Sequence, residues 1–331
     1  MPIPVRARHG EMAAASAADN AAASLSAVSR DVPVRPGSFT LSPTTWAVIL
    51  LPICALSFAG NHIVGRAVAG YLPPVALATG RWALASLILL PLAWPHLMRD
   101  WPQIRAHWPI LLFLTLLAGG LFSTLQYIGL VYTTALNTAL LNSTVPVFIA
   151  FTCFVLFGDK LSWWQATGIA ISLSGVVAII SKGDAGILVA WAFSSGDLII
   201  LANMALWSIY SAFLRYKPEI HWLSFGALMS VVALFANLPF LAIEFAGGQV
   251  APFTLTTVAA IAFAGIFTSI VAFATWNYGV AAIGASRAGM FLHLIPVFGS
   301  ILAVTLLGEP AGWYHAAGFA LILAGVWLAG Q

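Results

Sequence analysis

The chain has 331 residues, of which 61% are hydrophobic and only 7% are charged, with a mean hydropathy of +0.97 and a formal net charge of +3. Soluble domains carry about a quarter charged residues, so this composition excludes a soluble globular protein and indicates a polytopic membrane protein. The basic residues are scattered rather than clustered, which argues against a nucleic-acid partner.

The first 45 residues differ from the rest of the chain. They are rich in Ala, Ser and Pro, carry four arginines, and hold no apolar run long enough for a signal peptide. We therefore predict a disordered cytoplasmic tail at residues 1–45. Cys54 and Cys153 lie inside later apolar runs, which predicts small packing residues and no disulfide framework.

Apolar runs bounded by Pro, Gly or charge fill the chain from residue 46 onward. A hydrocarbon core about 30 Å thick needs roughly 20 apolar residues for each helix that crosses it. The runs therefore predict an all-α integral membrane protein with ten transmembrane helices. Their expected ranges are 46–66, 74–94, 109–131, 135–157, 162–181, 197–215, 222–243, 256–280, 285–307 and 311–329.

The distribution of positive charge predicts the orientation. With the N-terminus inside, ten of the thirteen Lys and Arg residues lie on the cytoplasmic side, and only Arg66, Arg81 and Lys182 fall in the outer half. The positive-inside rule then favours N- and C-termini that are both cytoplasmic, and an even number of spans agrees.

A duplication links the middle of the chain to its end. A shift of 150 residues aligns residues 135–180 with 285–330, and thirteen of the 46 pairs are identical. Matched pairs include Pro146 with Pro296, Phe148 with Phe298, Gly158 with Gly308, Trp163 with Trp313, Gly168 with Gly318 and Gly175 with Gly325. The prolines fall in helices four and nine, an odd number of spans apart, so the second copy is predicted to be inverted. Inverted repeats give a transporter two halves around a midplane site; a duplicated bundle without transport is the alternative.

These features resemble a known family. The two five-helix halves, the segment "RWALASLILLPLAW" in helix two and the paired Pro, Gly, acid and Trp positions are similar to the drug/metabolite transporter superfamily, in particular its EamA-type ten-helix permeases. The resemblance covers one repeat at residues 46–181 and a second, inverted repeat at 197–330. It implies transport of metabolites, amino acids or drugs across the bacterial inner membrane, often outward. It also implies that helices one, three, four, six, eight and nine line a central cavity, with five and ten more peripheral.

Amide, aromatic and imidazole side chains fall on several of these predicted cavity helices. For each of them, hydrogen bonding or packing between helices is the alternative. Together they predict a polar cavity with ring surfaces, which suits neutral or zwitterionic organic substrates. The candidate residues are Asn61, His62, Gln126, Asn142, Asn203, Trp207, Tyr210, Trp276, Asn277 and His293.

Two prolines and one arginine carry further hypotheses. Pro146 and Pro296 each remove a backbone hydrogen bond, so the carbonyls of Asn142 and Leu292 are expected to lose their partners. Each proline is then either a transport hinge or a static kink. Arg81 lies about two turns into helix two, where it could bind a substrate carboxylate or snorkel to the nearby interface.

The remaining polar and small residues leave the coupling and the assembly open. No carboxylate is expected at mid-membrane, so coupling to protons would need His293 or His62; a neutral, hydrogen-bonded His is the alternative. Gly168 with Gly175, and Gly318 with Gly325, predict close helix packing, either within a half or against a second copy in a homodimer.

Rival functions lack their sequence signatures. A membrane-embedded enzyme would need clustered catalytic groups, and a channel would need rings of charge or a carbonyl filter. The isolated Cys and His residues lack metal-ligand spacing. We therefore expect a non-enzymatic protein with no cofactor and no metal, whose partners are a small-molecule substrate and the lipid bilayer. The substrate, the direction and the coupling ion stay open.

Overall fold

A computed structural model describes residues 42–158, 162–184, 186–187, 194–283, 288–289 and 291–329. Within these ranges the regular structure is helical, without strands. The predicted tail lies outside the described residues up to position 41, as do Asp159, Lys160 and Arg287.

We number the helices α1 to α10. Eight of them follow the predicted spans to within three residues, whereas the second ends at Ala106 instead of residue 94 and the ninth begins at Leu294 instead of residue 285. Six of them, α1, α2, α3, α6, α7 and α8, are long and apolar enough to cross a membrane, and the bent α4 would be a seventh. Three shorter apolar helices complete the set, so the all-α membrane class is confirmed and the predicted count of ten is consistent with the structure. The bounds are Pro43–Ala67 (α1), Pro74–Ala106 (α2), Trp108–Tyr132 (α3), Ala135–Leu141 with Asn142–Thr144 and Val145–Phe157 (α4), Trp163–Ile180 (α5), Ser195–Tyr216 (α6), Trp222–Ala246 (α7), Leu255–Ile283 (α8), Leu294–Leu307 (α9) and Trp313–Ala329 (α10).

Helix α2 is longer than the sequence predicts. It was expected to end at residue 94, yet it continues past Pro95 and Pro102 to Ala106. Near its end the Asp100 carboxylate accepts hydrogen bonds from the His221 N–H at 2.7 Å and from the Ser224 hydroxyl at 2.8 Å. These donors belong to the start of α7, whose first N–H groups have no partner inside their own helix. Asp100, whose charge suggested a loop, therefore lies inside α2 and caps the start of α7.

Carboxylates from one helix cap the start of another at two further places. Glu244, near the end of α7, accepts the N–H groups of Val75 and Ala76 at 3.0 and 2.8 Å, which open α2. Glu309, just after α9, accepts the first two N–H groups of α4 at 2.9 and 2.8 Å. Such caps satisfy groups that the hydrocarbon core could not. They also show that α4 begins at the end of the bundle where α9 stops.

The two halves of the bundle make equivalent contacts. Helix α1 packs on α8 and α9, and α6 packs on α3 and α4, while α2 packs on α7, α4 on α9 and α5 on α10. Exchanging α1–α5 for α6–α10 reproduces this set. Helices α3 and α8 each contain a π-helical stretch, at Leu116–Phe122 in α3 and at Ala264–Ala272 in α8. Because α4 and α9 run in opposite directions, the second half is an inverted copy of the first.

The paired glycines at the ends of α4 and α9 have a backbone cause. Gly158 and Gly308 adopt φ angles of 67° and 66°, the left-handed conformation that closes many helices. Any other residue would be strained there, so the duplicated Gly marks the same helix end in both halves.

The break within α4 and the turn just before α9 differ from the sequence prediction in one respect. The carbonyl of Asn142 accepts a hydrogen bond from the N–H three residues later, and the carbonyl of Leu292 does the same at 3.0 Å. The expectation that both would lose their partners was therefore wrong. The chain tightens into a 3-10 turn, and Pro146 and Pro296 fall in the first turn of the helix that restarts, where a missing N–H is tolerated. The two parts of α4 meet at 46°.

The glycine stripes of α5 and α10 face each other inside the chain. A Cβ on Gly175 would lie 2.5 Å from the carbonyl oxygen of Gly318, and a Cβ on Gly325 would collide with the carbonyl oxygen of Gly168. The glycines therefore allow close backbone contact between the two halves. A homodimer through glycine-containing faces stays a prediction.

We expect Gly175→Ala to destabilise the protein by about 1–3 kcal/mol, because backbone atoms leave no room for the added methyl group. Gly226→Ala in α7 is the matched control, since its Cβ would meet Leu89 at an ordinary 3.5 Å. The check is the thermal unfolding midpoint of each purified variant in detergent. Equal midpoints would contradict the close packing of α5 on α10.

Candidate functional site

A cavity of about 350 Å³ opens between α1, α7 and α8, beside the loop that joins α6 to α7. Its wall is mostly apolar, with Leu50, Ile220 and Phe225 among its lining residues, and Lys217 and Asn277 add polar groups. We call this end of the bundle, where α6 ends and α7 begins, the Lys217 end. Burial lowers the pKa of Lys217, and the neighbouring charges of Glu219 and Asp100 oppose that shift.

A second cavity of about 10 Å³, enough for roughly one water, lies beside the first. The two cavities share Trp222, Ala274 and Asn277, and the smaller one also reaches Ser269. Asn277, a predicted cavity residue, therefore lines both. Its Oδ1 accepts a hydrogen bond from the Tyr210 hydroxyl at 3.4 Å, which ties α8 to α6.

Aromatic rings fill the centre of the bundle, where α1, α3, α6 and α8 meet. Trp207 lies at the middle of this cluster and is only 3% exposed. The predicted ring surfaces are thus present, but three of the predicted residues, Trp207, Tyr210 and Trp276, pack against neighbours instead of lining open space. Rings within 6 Å of Trp207, by centroid, belong to Phe58 (5.6 Å), Phe122 (4.7 Å), Tyr210 (5.2 Å), Phe273 (5.7 Å) and Trp276 (5.8 Å).

Two predicted amides form a buried pair between α3 and α6. Asn203 donates from Nδ2 to Gln126 Oε1 at 3.1 Å. The other ends of both groups, Gln126 Nε2 and Asn203 Oδ1, have no partner among the described residues. A donor and an acceptor thus stay available at this contact.

The predicted histidines lie by the helix breaks. His62 Nε2 is 3.3 Å from Asn142 Nδ2, in the 3-10 turn of α4. His293 occupies the turn before α9, and neither of its ring nitrogens has a partner within the described part of the chain. Each half therefore places an imidazole at the point where its helix restarts.

Arg81 lies at the centre of a second buried network. Its Nε donates to Ser269 Oγ at 2.8 Å and its Nη1 donates to the Tyr127 hydroxyl at 3.0 Å. Tyr127 in turn donates to Oδ1 of Asn61 at 2.6 Å, which brings another predicted residue into the network. The side chain is only 2% exposed, so the snorkelling interpretation does not hold.

A third network, absent from the sequence prediction, closes the opposite end of the bundle. Asp197 in the first turn of α6 is 1% exposed and accepts hydrogen bonds from the Thr133 hydroxyl and from Asn137 Nδ2, the latter at 3.1 Å. Asn137 Oδ1 lies 3.0 Å from His315 Nε2 in α10. We call Thr133, Asn137, Asp197 and His315 the Asp197 network. Its members come from three helices, α4, α6 and α10, and from the turn between α3 and α4. The only sequence signal was an acid at a predicted helix start.

An ion pair lies at the same end of the bundle as the Asp197 network. Arg66 Nε is 3.8 Å from Glu309 Oε1, and its Nη1 donates to the carbonyl of Leu130 at 3.1 Å. Since Glu309 also caps α4, the end of α1 is tied to α3, α4 and α9. Side-chain contacts at this end thus join α1, α3, α4, α6, α9 and α10, while the Lys217 end holds the larger cavity.

The cap of α7 at the Lys217 end should respond to acid. Nδ1 of His221 accepts the Leu223 N–H at 3.3 Å, and its ring stacks on His96 at 3.7 Å. Burial, His96 and then Arg99 lower the pKa of His221. The unfolded chain then binds more protons below about pH 6.5, so stability should fall as the pH drops below that value.

The check is the unfolding midpoint in detergent between neutral and mildly acidic pH, compared with that of His221→Asn. Asn keeps a capping oxygen but does not titrate, so the variant should lose less stability on acidification. An identical loss in both proteins would rule out His221 as the titrating group.

Comparisons with known proteins agree with this architecture. The pattern of the EamA-like transporter family matches residues 45–181 and again residues 194–331. An uncharacterized transporter of Archaeoglobus fulgidus is 29% identical, covering 85% of this chain and 96% of that protein. The uncharacterized transporter YyaM of Bacillus subtilis is 27% identical, covering 78% of this chain and 84% of that protein.

Two further comparisons give a relative with a named function and a solved structure with a similar fold. A probable terminal-alkyne amino-acid exporter of Streptantibioticus cattleyicolor is 26% identical over 87% of this chain and 93% of that protein. One solved structure, described only as the crystal structure of a protein, has a TM-score of 0.58 at 20% identity and covers 87% of this chain and 96% of that one. That likeness shows the fold alone.

Proposed function

The chain belongs to the EamA-like transporter family, and from this premise we propose that it is an alternating-access permease for small organic metabolites, such as amino acids or drug-like compounds. We further propose that it works as an exporter in the cell inner membrane. The family places it among multi-pass membrane transporters; the mechanism, substrate and direction are what we infer.

The observation that carries this proposal is a contrast between symmetric packing and asymmetric ends. The two halves make equivalent helix contacts, yet the larger cavity opens at the Lys217 end while Asp197 and Asn137 hold the other end together. If the inverted halves exchanged their packing, the end held by Asp197 and Asn137 would open and the Lys217 end would close. A carrier of this kind needs no continuous pore.

The positive-inside rule supplies an orientation. Arg99, Arg105 and Lys217 lie at the Lys217 end, and Arg66 and Lys182 lie at the opposite one. We infer that the Lys217 end is cytoplasmic, as are both chain termini, so that the cavity faces the cytoplasm. The relative named as a probable amino-acid exporter supports outward transport of a metabolite.

Flux measurements on the purified chain in proteoliposomes test the proposal. Saturable uptake of at least one member of a panel of amino acids, nucleosides and toxic compounds is the expected result. Flux that never saturates would favour a channel, and a chemically altered solute would favour a membrane-embedded enzyme.

The Asp197 network provides a prediction about the closed end. Asn137→Ala removes the link between Asp197 and His315, so this end should open more often. With both native cysteines replaced by Ala, a cysteine introduced at the buried Leu136 should then react faster with a water-soluble thiol reagent. Thr305→Ala is the control, since that exposed hydroxyl donates to the carbonyl of Ile301 in its own helix. An unchanged rate would show that the network does not hold this end closed.

The hinge hypothesis for Pro296 makes a separate prediction. Alanine restores the missing N–H and lets α9 continue through its break, so Pro296→Ala should reduce turnover more than expression. Pro239→Ala, inside α7 and away from either break, is the matched control. If turnover survives intact, the break is only a structural kink; Pro146→Ala tests the other half in the same way.

A further inference from the structure

One arginine, Arg81, combines deep burial with the lack of a carboxylate partner among the described residues. Arg66 is 3.8 Å from Glu309 and Arg99 is 3.4 Å from Asp100, whereas Arg81 has no carboxylate partner among the described residues. Arg81 is also almost fully buried. Arginine keeps its proton in proteins, and an uncompensated charge inside a membrane protein is costly. Such a group is a functional suspect, and an anion would balance it.

The hydrogen bonds of Arg81 leave a defined part of the guanidinium available. Of its five N–H groups, Nε donates to Ser269 and one Nη1 hydrogen donates to Tyr127. Nη2 has no partner within the described part of the chain. Both Nη2 hydrogens and one Nη1 hydrogen therefore remain as donors for a carboxylate.

The surroundings hold the guanidinium in place. The Tyr127 hydroxyl donates its hydrogen to Asn61, so its oxygen can accept the hydrogen bond from Arg81. The guanidinium carbon lies 4.9 Å from the centre of the Trp82 ring and 5.6 Å from that of Tyr127. The Trp82 Nε1 donor also lacks an acceptor among the described residues. Unpartnered donors are thus present on both Arg81 and Trp82, which favours a ligand that supplies lone pairs.

Ser269 connects this site to the cavities. It lines the smaller cavity, which shares Asn277 with the larger one, and it accepts the bond from Arg81 Nε. Ser269 lies in the π-helical stretch of α8 and donates to the carbonyl of Ala264, five residues back, at 3.2 Å. Such π-helical stretches often occur at functional sites because they redirect side chains.

The charge and the wall of the larger cavity point to the rest of the ligand. Lys217 lines it, and neither cavity has an Asp or Glu among its described lining residues. Leu50, Ile220 and Phe225 provide apolar surface.

Glu219 and Asp100 are near Lys217 but line neither cavity. A cationic solute would therefore meet no carboxylate in the described lining, whereas an anion with an apolar body would meet Lys217 first and Arg81 beyond Ser269.

We propose that Arg81 binds the carboxylate of the transported solute, and that this solute is an organic carboxylate with an apolar body. The inference rests on the proposed permease function and names its substrate class. The smaller cavity holds about one water and is too small for a carboxylate. In this proposal the carboxylate therefore reaches Arg81 when the rings around Trp207 move during the transport cycle.

Matched probes test the charge preference on the purified full chain in detergent. The pairs are 3-phenylpropanoate with 3-phenylpropanamide and hexanoate with hexanamide, which differ only at the carboxylate. Each dissociation constant is measured by quenching of tryptophan fluorescence. We expect each carboxylate to bind more tightly than its amide. Equal binding within both pairs, or no binding of either carboxylate, overturns the proposal.

Variants then assign the preference to Arg81. Arg81→Gln should weaken carboxylate binding about ten- to hundredfold and leave the amides unchanged. Arg81→Lys keeps the positive charge but loses the planar guanidinium donors. Its affinity for carboxylates should lie between that of the native protein and that of Arg81→Gln. Arg99→Gln, on an exposed side chain, is the control. If Arg81→Gln does not fold, Ser269→Ala and Tyr127→Phe each remove one bond that positions Arg81 and should reduce the preference. An unchanged preference in the folded variants overturns the proposal.

Flux separates a failure of this inference from a failure of the permease proposal. If proteoliposomes carry amides or amines saturably but no carboxylate, the permease stands and the role of Arg81 falls. If carboxylates bind through Arg81 but nothing crosses, the anion site stands and the permease proposal falls.

Discussion

The absence of water in a hydrocarbon core is the constraint on which the rest of this structure depends, because every buried backbone donor must find its acceptor inside the protein. Glu244 meets this need for α2, and Glu309 meets it for α4. Asp100 does so for α7. None of these acids belongs to the helix that it caps, so satisfying the backbone also fixes which helix ends lie together. The few acids of the described bundle thus contribute to its topology as well as to its polarity.

The same constraint shapes the two breaks near the middle of the bundle. At Asn142 and Leu292 the chain tightens into a 3-10 turn, which gives their carbonyls new partners, and each helix then restarts with a proline in its first turn. The backbone is duplicated, but the side chains are not. Asn142 contacts His62, whereas Leu292 is followed by His293, whose ring nitrogens have no partner in the described ranges. The halves therefore share a mechanism of bending and differ in the polar groups they carry there.

The sequence predicted helix positions well where an apolar run stops at a turn signal, as at Trp222, and poorly where charge lies inside a helix, as at Asp100. It paired Gly158 with Gly308 correctly because a left-handed helix end needs the same residue in both copies. It missed the bond of Arg81 to Ser269 and that of Asn137 to Asp197, since these partners are far apart along the chain. Single-residue patterns marked Arg81 as a suspect, but only the fold shows that it is buried without a carboxylate partner among the described residues.

The central claim is that the two ends of the bundle open in turn. Double electron–electron resonance can measure it with spin labels on α3 and α8, at Trp108 with Ala281 for the Lys217 end and at Tyr132 with Val258 for the opposite end. These exposed positions are related by the repeat to within one residue. Alternating access predicts a short and a long distance at each end. When a transported solute is added, the long distance should become more populated at one end and less populated at the other. Distances that lengthen together at both ends, or that never change, would contradict it.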